Sequence, residues 1–578
     1  MRKYFIYIAT FLLALSSNAQ ESKPNILLLV GDDMGFADIG PFGSEVDTPN
    51  LNKLAANGIR FSNFHATPVC SVTRSELLTG NNNIEVGLGA FDYAVYPAAA
   101  GKPGYEGYLT RTTVTIAELL KDAGYHTYTT GKWHLGGTHG KGHGPSKWGF
   151  EQSYGIYVGG SNHWNQEVML PDVKEPKVAK ILKSGGLPGI QQEKFYENGI
   201  EIQRPLGVYS NDLYTGKMLE YMNADRGDGQ PFFAYMAFTT AHFPIQAPQE
   251  YIDKYFDYYY MHGYEAVKKK RFEMLKKHGI IGEDTPFPDT SNNALVKSWD
   301  SLTDREKQIQ ARVFATYASM IESQDHHIGK LISYLKENDE YDNTLIIYIT
   351  DNGPEGTDLR GKLSNPLLTK WAKKNYTEAE KAIGTGSANW QIGTSWANAA
   401  TGTLQWWKAF VAEGGIRVPM IVVPPKGDSQ MEPGSLVNNF TSVKELPMTI
   451  LDYAGVQHPM TQYKDRAITP PSGLSIKGFL EGKTNIVRTD DQMVAFELFG
   501  NKYVVSGNLK AVYQRTGMYG PGEWRLYNIL TDPGETISLS KEHKKEFKTM
   551  VKFYNKYAKE RNIQPVAQDW NPWSAISH

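Results

Sequence analysis

Cys70 is the single cysteine among 578 residues, so it has no intrachain disulfide partner. It is a buried small hydrophobe, a nucleophile, or a thiol that is chemically altered after synthesis. Arg74 follows it in VCSVTRSELLTG. Two further pairs, Asp32-Asp33 and Asp351-Asn352, offer four oxygen side chains, a donor set that suits a hard cation. Lys132 and His134, two apart on an extended segment, face the same side, and His242 follows the apolar run FFAYMAF. Each has a plainer reading. An Asp-Asp pair more often ends in a solvated turn, and a lone histidine is more often structural. Asp325-His326-His327 resembles a metal cluster in composition. It sits, however, in a helical pattern over 315–335, where adjacent residues face different ways, and it reads as a helix face.

The elements that must position these groups are legible. NILLLV at 25–30 and TLIIYIT at 344–350 are short continuous apolar runs, the pattern of strands buried on both faces. They stop at Gly31-Asp32-Asp33 and at Asp351-Asn352-Gly353. Residues 126–130 and 232–238 read as two more strands, running into GKWH and TTAH. Helical patterns alternate with them, over 51–57 after Thr48-Pro49 and over 115–124 closed by Gly124. The class is α/β, and in open parallel sheets ligands bind beyond the carboxyl ends of the strands, so both oxygen pairs could share one site. Cys70 falls between a predicted strand at 61–66 and a predicted helix at 71–78 closed by Gly80. At such a helix N-terminus free N–H groups favour anions, and a lowered thiol pKa is expected. The aromatic stretch YIDKYFDYYY at 251–260 reads as an amphipathic insertion packed on the domain, with a platform for a sugar or aryl group as the alternative. The Lys-rich segment 265–278 reads as a solvated helix.

The formal charge of -2 and the 12% aromatic content give no sign of a nucleic-acid partner or a membrane-surface patch, and a small-molecule or glycan substrate fits better. Arg2 and Lys3, an apolar run over 4–15 and small residues over 17–19 read as a secretory signal peptide, 1–19. The mature protein is therefore expected to be exported, periplasmic or secreted, and held by core burial rather than by disulfides. The organisation expected is a catalytic domain over 24–485 and a smaller α+β subdomain over 486–578. The latter should have antiparallel strands at 492–505 and 509–515 and a helix at 541–561.

Together PNILLLVGDDMGFADIG, TPNLNKLAANGIRFSNFH, VCSVTRSELLTG, TGKWHLG, FFAYMAFTTAHFPIQAP, YITDNG and EGGIRVP resemble the type I sulfatases of the alkaline phosphatase superfamily, in that family's order and spacing. RLYNILTDPGETISLS at 525–540 is similar to the family's C-terminal signature. KPGYEGYLTR and TSWANAATGTLQWWKAFVAEGGIRVP look most like the bacterial arylsulfatase branch. The resemblance implies a large, mostly parallel sheet sandwiched by helices, with a smaller C-terminal antiparallel sheet. It implies a sulfuric ester hydrolase acting on aryl or carbohydrate sulfate esters. Cys70 would be oxidised to formylglycine by a formylglycine-generating or anaerobic sulfatase-maturating enzyme, and the hydrated aldehyde would attack sulfur. Val72 stands where the family signature has Pro or Ala. Asp32, Asp33, Asp351 and Asn352 would bind Ca²⁺, with the modified Cys70 completing the shell. Arg74 would hold the hydrate and the carboxylates, and Lys132 and Lys408 would bind sulfate oxygens. His242 would assist departure of the alcohol, and His134 would take a proton from the second hydroxyl. The alternatives are a phosphate or phosphonate monoester hydrolase of the same superfamily and a non-catalytic glycan-binding relative. A cysteine phosphatase needs five residues between Cys and Arg, and this chain has three.

Overall fold

The computed structural model describes residues 23–91, 94–136, 144–164, 176–177, 194–291, 293–358, 367, 370 and 382–575. The expected signal peptide lies outside them. Along the chain the strands are β1 (Asn25–Gly31), β2 (Ile59–Phe61), β3 (Phe64–His65), β4 (His126–Lys132), β5 (Gln152–Ile156), β6 (Phe195–Glu197), β7 (Ile200–Ile202), β8 (Phe232–Ala237), β9 (Thr344–Thr350), β10 (Met420–Val423), β11 (Leu436–Val437), β12 (Thr441–Ser442), β13 (Gln462–Tyr463), β14 (Arg466–Ala467), β15 (Val494–Leu498), β16 (Asn501–Ser506), β17 (Leu509–Tyr513) and β18 (Trp524–Asn528). A ten-stranded sheet has the order β11-β2-β10-β9-β1-β8-β4-β5-β6-β7. Its centre, β9-β1-β8-β4-β5, is parallel, and β10 runs antiparallel between β9 and β2. The fold is therefore α/β, with a mixed, mostly parallel sheet.

The continuous apolar runs fit two buried faces. Leu27 and Leu29 of β1 face one core with Ile346 and Tyr348, whereas Ile26, Leu28 and Val30 face another with Leu345, Ile347 and Ile349. The first core is covered by two long helices, Gln249–Lys277, which bends at Gly263, and Asp304–Glu337. The second holds α3 (Ile116–Asp122) and the helix Glu445–Tyr453. Tyr255 and Tyr259 of the aromatic stretch are buried against the first core, with hydroxyls donating to Glu322 and Glu45. The face read as solvated is not wholly so: Lys268 and Arg271 are buried, Arg271 on the carboxylates of Asp38 and Glu45. Asp325 caps a different helix, accepting from the backbone N–H groups of Asn50 and Leu51 at the start of α1 (Pro49–Asn57).

Two strand expectations are corrected. The predicted strand 61–66 is split between β2 and β3, which belong to different sheets, because Ser62 and Asn63 turn to β11 and the 438–439 loop. The predicted strand 492–505 is a hairpin, β15 and β16, broken where Phe499 and Gly500 both take positive φ, at 57° and 78°. With β17 and β18 it forms a separate four-stranded antiparallel sheet, covered by the helix Lys544–Glu560.

Candidate functional site

The oxygen pairs meet because β1 and β9 are adjacent and in register, Gly31 opposite Thr350, so Asp32-Asp33 and Asp351-Asn352 leave the same sheet edge together. Asp33 turns with φ 59° and donates its N–H to Asp351 Oδ1 at 3.3 Å. Asn352 Nδ2 donates to Asp33 Oδ1 at 2.7 Å. Gly353 is required where it stands: a Cβ there would lie 1.9 Å from the carbonyl oxygen of Gly414, and its N–H donates to Gly415 O.

Cys70 opens α2 (Cys70–Thr79), preceded by Val69 in an extended conformation and closed by Gly80 at φ 73°. Its Sγ is 3.1 Å from His134 Nδ1 and shares a cluster with the carboxylates of Asp32 and Asp351. One turn on, Arg74 donates through Nε and Nη2 to Asp351 Oδ2, at 2.9 and 2.7 Å, and through Nη1 to Lys132 O. Lys132, the last residue of β4, reaches both oxygens of Asp32 at 2.9 and 2.8 Å. Lys408 Nζ lies 2.8 Å from Asp33 Oδ2, and His242 Nε2 3.4 Å from that oxygen. Every sequence-designated site residue thus falls in one buried cluster: Asp32, Asp33, Cys70, Arg74, Lys132, His134, His242, Asp351, Asn352 and Lys408.

Burial dominates the electrostatics. It pushes Asp32 well above the usual carboxylate range, with Asp351 adding to the rise and Lys132 opposing it. It holds His134 and His242 well below ordinary histidine values, helped in both by Lys132, so both rings are neutral bases at neutral pH. His242 Nδ1 faces Phe243 O at 2.6 Å and must donate to it, leaving Nε2 bare. The expectation of a lowered thiol pKa at Cys70 is overturned. Burial pushes it up, and the pull of Lys132 and Lys408 does not compensate.

The donor chemistry fits a hard divalent cation. Three carboxylates and one amide oxygen converge, and Asn352 Oδ1 is buried without a hydrogen-bond donor among the described residues. Its amide orientation is fixed, because Nδ2 also donates to Gly353 O at 2.8 Å, and a cation would satisfy the free oxygen.

A supporting layer was not visible as motif. Tyr317 donates to Asp38 Oδ2 and lies 3.0 Å from the carbonyl of Asp33, bracing the left-handed turn. His163 Nε2 donates to His242 O at 3.1 Å, so its Nδ1 accepts from Ser210 Oγ. Glu355, three residues beyond Asn352, pairs with Lys408 at 3.1 Å. The segment carrying Lys408 is clamped from the C-terminal sheet. Lys510 Nζ donates to Val411 O and to Glu413 Oε1, both at 2.8 Å, and pairs with Glu535. Only Glu355 had a usable signal, its nearness to the strand end. The others join the site through tertiary contacts.

The sulfatase family model, described as Sulfatase, matches residues 24–456. An uncharacterised sulfatase of Schizosaccharomyces pombe is 36% identical over 565 residues, 96% of this chain and 97% of the relative. An arylsulfatase of Klebsiella aerogenes is 33% identical over 466 residues, 80% of this chain and 94% of the relative. Among solved structures, Ps i-CgsB in complex with k-i-k-neocarrahexaose superposes with a TM-score of 0.62 at 25% identity, covering 96% of this chain and 98% of the other.

Proposed function

The chain belongs to the sulfatase family and hydrolyses sulfate esters, and we propose that it does so through a formylglycine formed from Cys70, beside a calcium ion held by Asp32, Asp33, Asp351 and Asn352. One observation carries this reading: position 70 lies at a helix start, 3.1 Å from a neutral histidine and against two carboxylates of an all-oxygen cluster with an unsatisfied amide oxygen. A buried thiol whose ionisation is suppressed is a poor nucleophile, which favours chemical conversion over direct use.

Calcium at these oxygens would polarise the ester and favour ionisation of a hydroxyl at position 70. Arg74 fixes Asp351 and the end of β4, so the carboxylates and Lys132 keep their places while charge shifts. Lys132 and Lys408 supply ammonium groups from two sides of the site, placed to bind the oxygens of a sulfate group as negative charge develops. His134 stands where it takes a proton from a hydroxyl at position 70, and its suppressed basicity keeps it unprotonated beforehand. His242, held by His163, sits on the Asp33 side, where its bare Nε2 would have to take up a proton, favoured by the negative charge of a bound sulfate, before it could bind a sulfate oxygen and protonate the departing alcohol. The substrate class we propose is an aryl or carbohydrate sulfate ester, met outside the cytoplasm. Nothing in α2 is exposed, so the maturating enzyme must meet residues 70–74 before the helix packs.

Paired 4-nitrophenyl sulfate and 4-nitrophenyl phosphate test the reading. The sulfate should turn over faster, and a calcium chelator should abolish turnover reversibly. Faster turnover of the phosphate, or no loss on chelation, would contradict it.

A further inference from the structure

A groove of about 400 Å³ lies between the Lys408 segment and the C-terminal sheet. Its walls carry Trp406, Tyr519 and Tyr527 together with Gln514, Glu523 and Arg525. Tyr519 is 46% exposed and held outward by a left-handed backbone, φ 58°. The Trp406 ring is braced by Phe410 at a centroid distance of 4.5 Å. Fixed aromatic faces beside planar hydrogen-bonding groups match a sugar ring, whose C–H face stacks while its hydroxyls find amide, carboxylate and guanidinium partners.

Charge narrows the ligand. Arg525 is paired with Glu523 at 2.9 Å, and Glu535 at the groove floor is paired with Lys510. The lining therefore offers no uncompensated cation to a second sulfate. Trp406 is two residues before Lys408, so their Cα atoms lie within about 7.6 Å of one another. Trp406 thus ties one wall of the groove to the segment that carries Lys408.

We propose that this groove is a subsite for an unsulfated sugar ring of an oligosaccharide substrate. It rests on the sulfate-ester reading of the catalytic site and extends it from an ester to a chain. The test compares kcat/KM for hexasaccharides prepared from carrageenan and from a glycosaminoglycan with kcat/KM for 4-nitrophenyl sulfate. Tyr519→Asn keeps a residue that tolerates the left-handed turn while removing the ring, and Arg525→Gln removes the guanidinium. Each should lower the oligosaccharide-to-aryl ratio about tenfold for the hexasaccharide that is turned over. An unchanged ratio in both variants overturns the proposal, as does a native protein that turns over the aryl ester and neither hexasaccharide. If the native protein turns over none of these esters, the sulfate-ester reading falls. Calorimetric titration with the chemically desulfated hexasaccharides then decides for the groove: binding lost in both variants supports it, and absence of binding overturns it.

Discussion

Burial raises the pKa of both Asp32, beside paired cations at the sheet edge, and Glu497, which lacks them among the described residues. At the sheet edge, buried carboxylates are paired with Arg74, Lys132 and Lys408, and at Asp32 the charge of Lys132 opposes the desolvation without cancelling it. Glu497 in β15 has no such partner within salt-bridge range among the described residues; it accepts the Gly500 N–H, and burial raises it from 4.5 to about 7. Between those values the folded chain keeps a proton that the unfolded chain releases, so stability falls as pH rises through the window. Below about pH 4.5 both states are protonated, and above about 7 the loss is complete, about 3 kcal/mol for that interval. Glu497→Gln keeps an oxygen acceptor without the charge. The fall in Tm between pH 5 and pH 8 should shrink in this variant, with little change at pH 4. An identical pH profile in the variant and the native protein would show that Glu497 ionises without cost.

At the scale of elements, the C-terminal sheet is joined to the catalytic segment by charge as well as by apolar packing. Glu413 lies well below the usual carboxylate range: burial would raise it, and His65 and Lys510 outweigh that. Removing the Lys510 ammonium leaves Glu413 and Glu535 buried beside one another. Lys510→Met should therefore cost about 3 to 5 kcal/mol in urea unfolding, where an exposed lysine costs under about 0.5. It should also raise KM for a sulfate ester, because Val411 O loses the donor that pins the Lys408 segment. A loss under about 1 kcal/mol would mean that the cluster relaxes and that the sheet does not brace the site. Period and punctuation made the catalytic strands legible: β1, β8 and β9 are continuous apolar runs, and β4 is a Thr- and Tyr-rich stretch running into Gly131-Lys132. They did not reveal the break at 62–63 or the turn at Phe499-Gly500. Both breaks carry turn-forming residues, Ser62-Asn63 and Gly500-Asn501, but the β-forming residues on either side outweigh so short an interruption when the pattern is read without the partner strands. Lys268 and Arg271 were missed as core residues because their burial depends on partners contributed by other segments, Asn398 and Leu404 for one, Asp38 and Glu45 for the other.

At the scale of the molecule, residues separated by more than 300 positions in sequence share one edge because parallel order places β9 beside β1, with β8 and β4 next in line. That arrangement explains why the site was largely readable. Asp32, Asp33, Asp351 and Asn352 follow strands directly and Lys132 ends one, so sequence adjacency to a strand stood in for proximity in space, whereas Lys408 follows no strand directly and was reached only through the family resemblance. What the runs could not show was the depth at which Cys70 is buried, which outweighs the pull of Lys132 and Lys408 and turns the expected low-pKa thiol into a suppressed one. Position 70, as proposed above, works as an aldehyde hydrate and not as a thiol. The most direct measurement is the mass of the tryptic peptide 61–74 from the active protein, unfolded before labelling because Cys70 is only 2% exposed. Specific activity should be followed across preparations in parallel. The peptide should be lighter by the thiol-to-aldehyde change, reactive with a hydrazide, and present in a fraction that tracks specific activity. Full activity with the peptide recovered as an alkylatable thiol would contradict it.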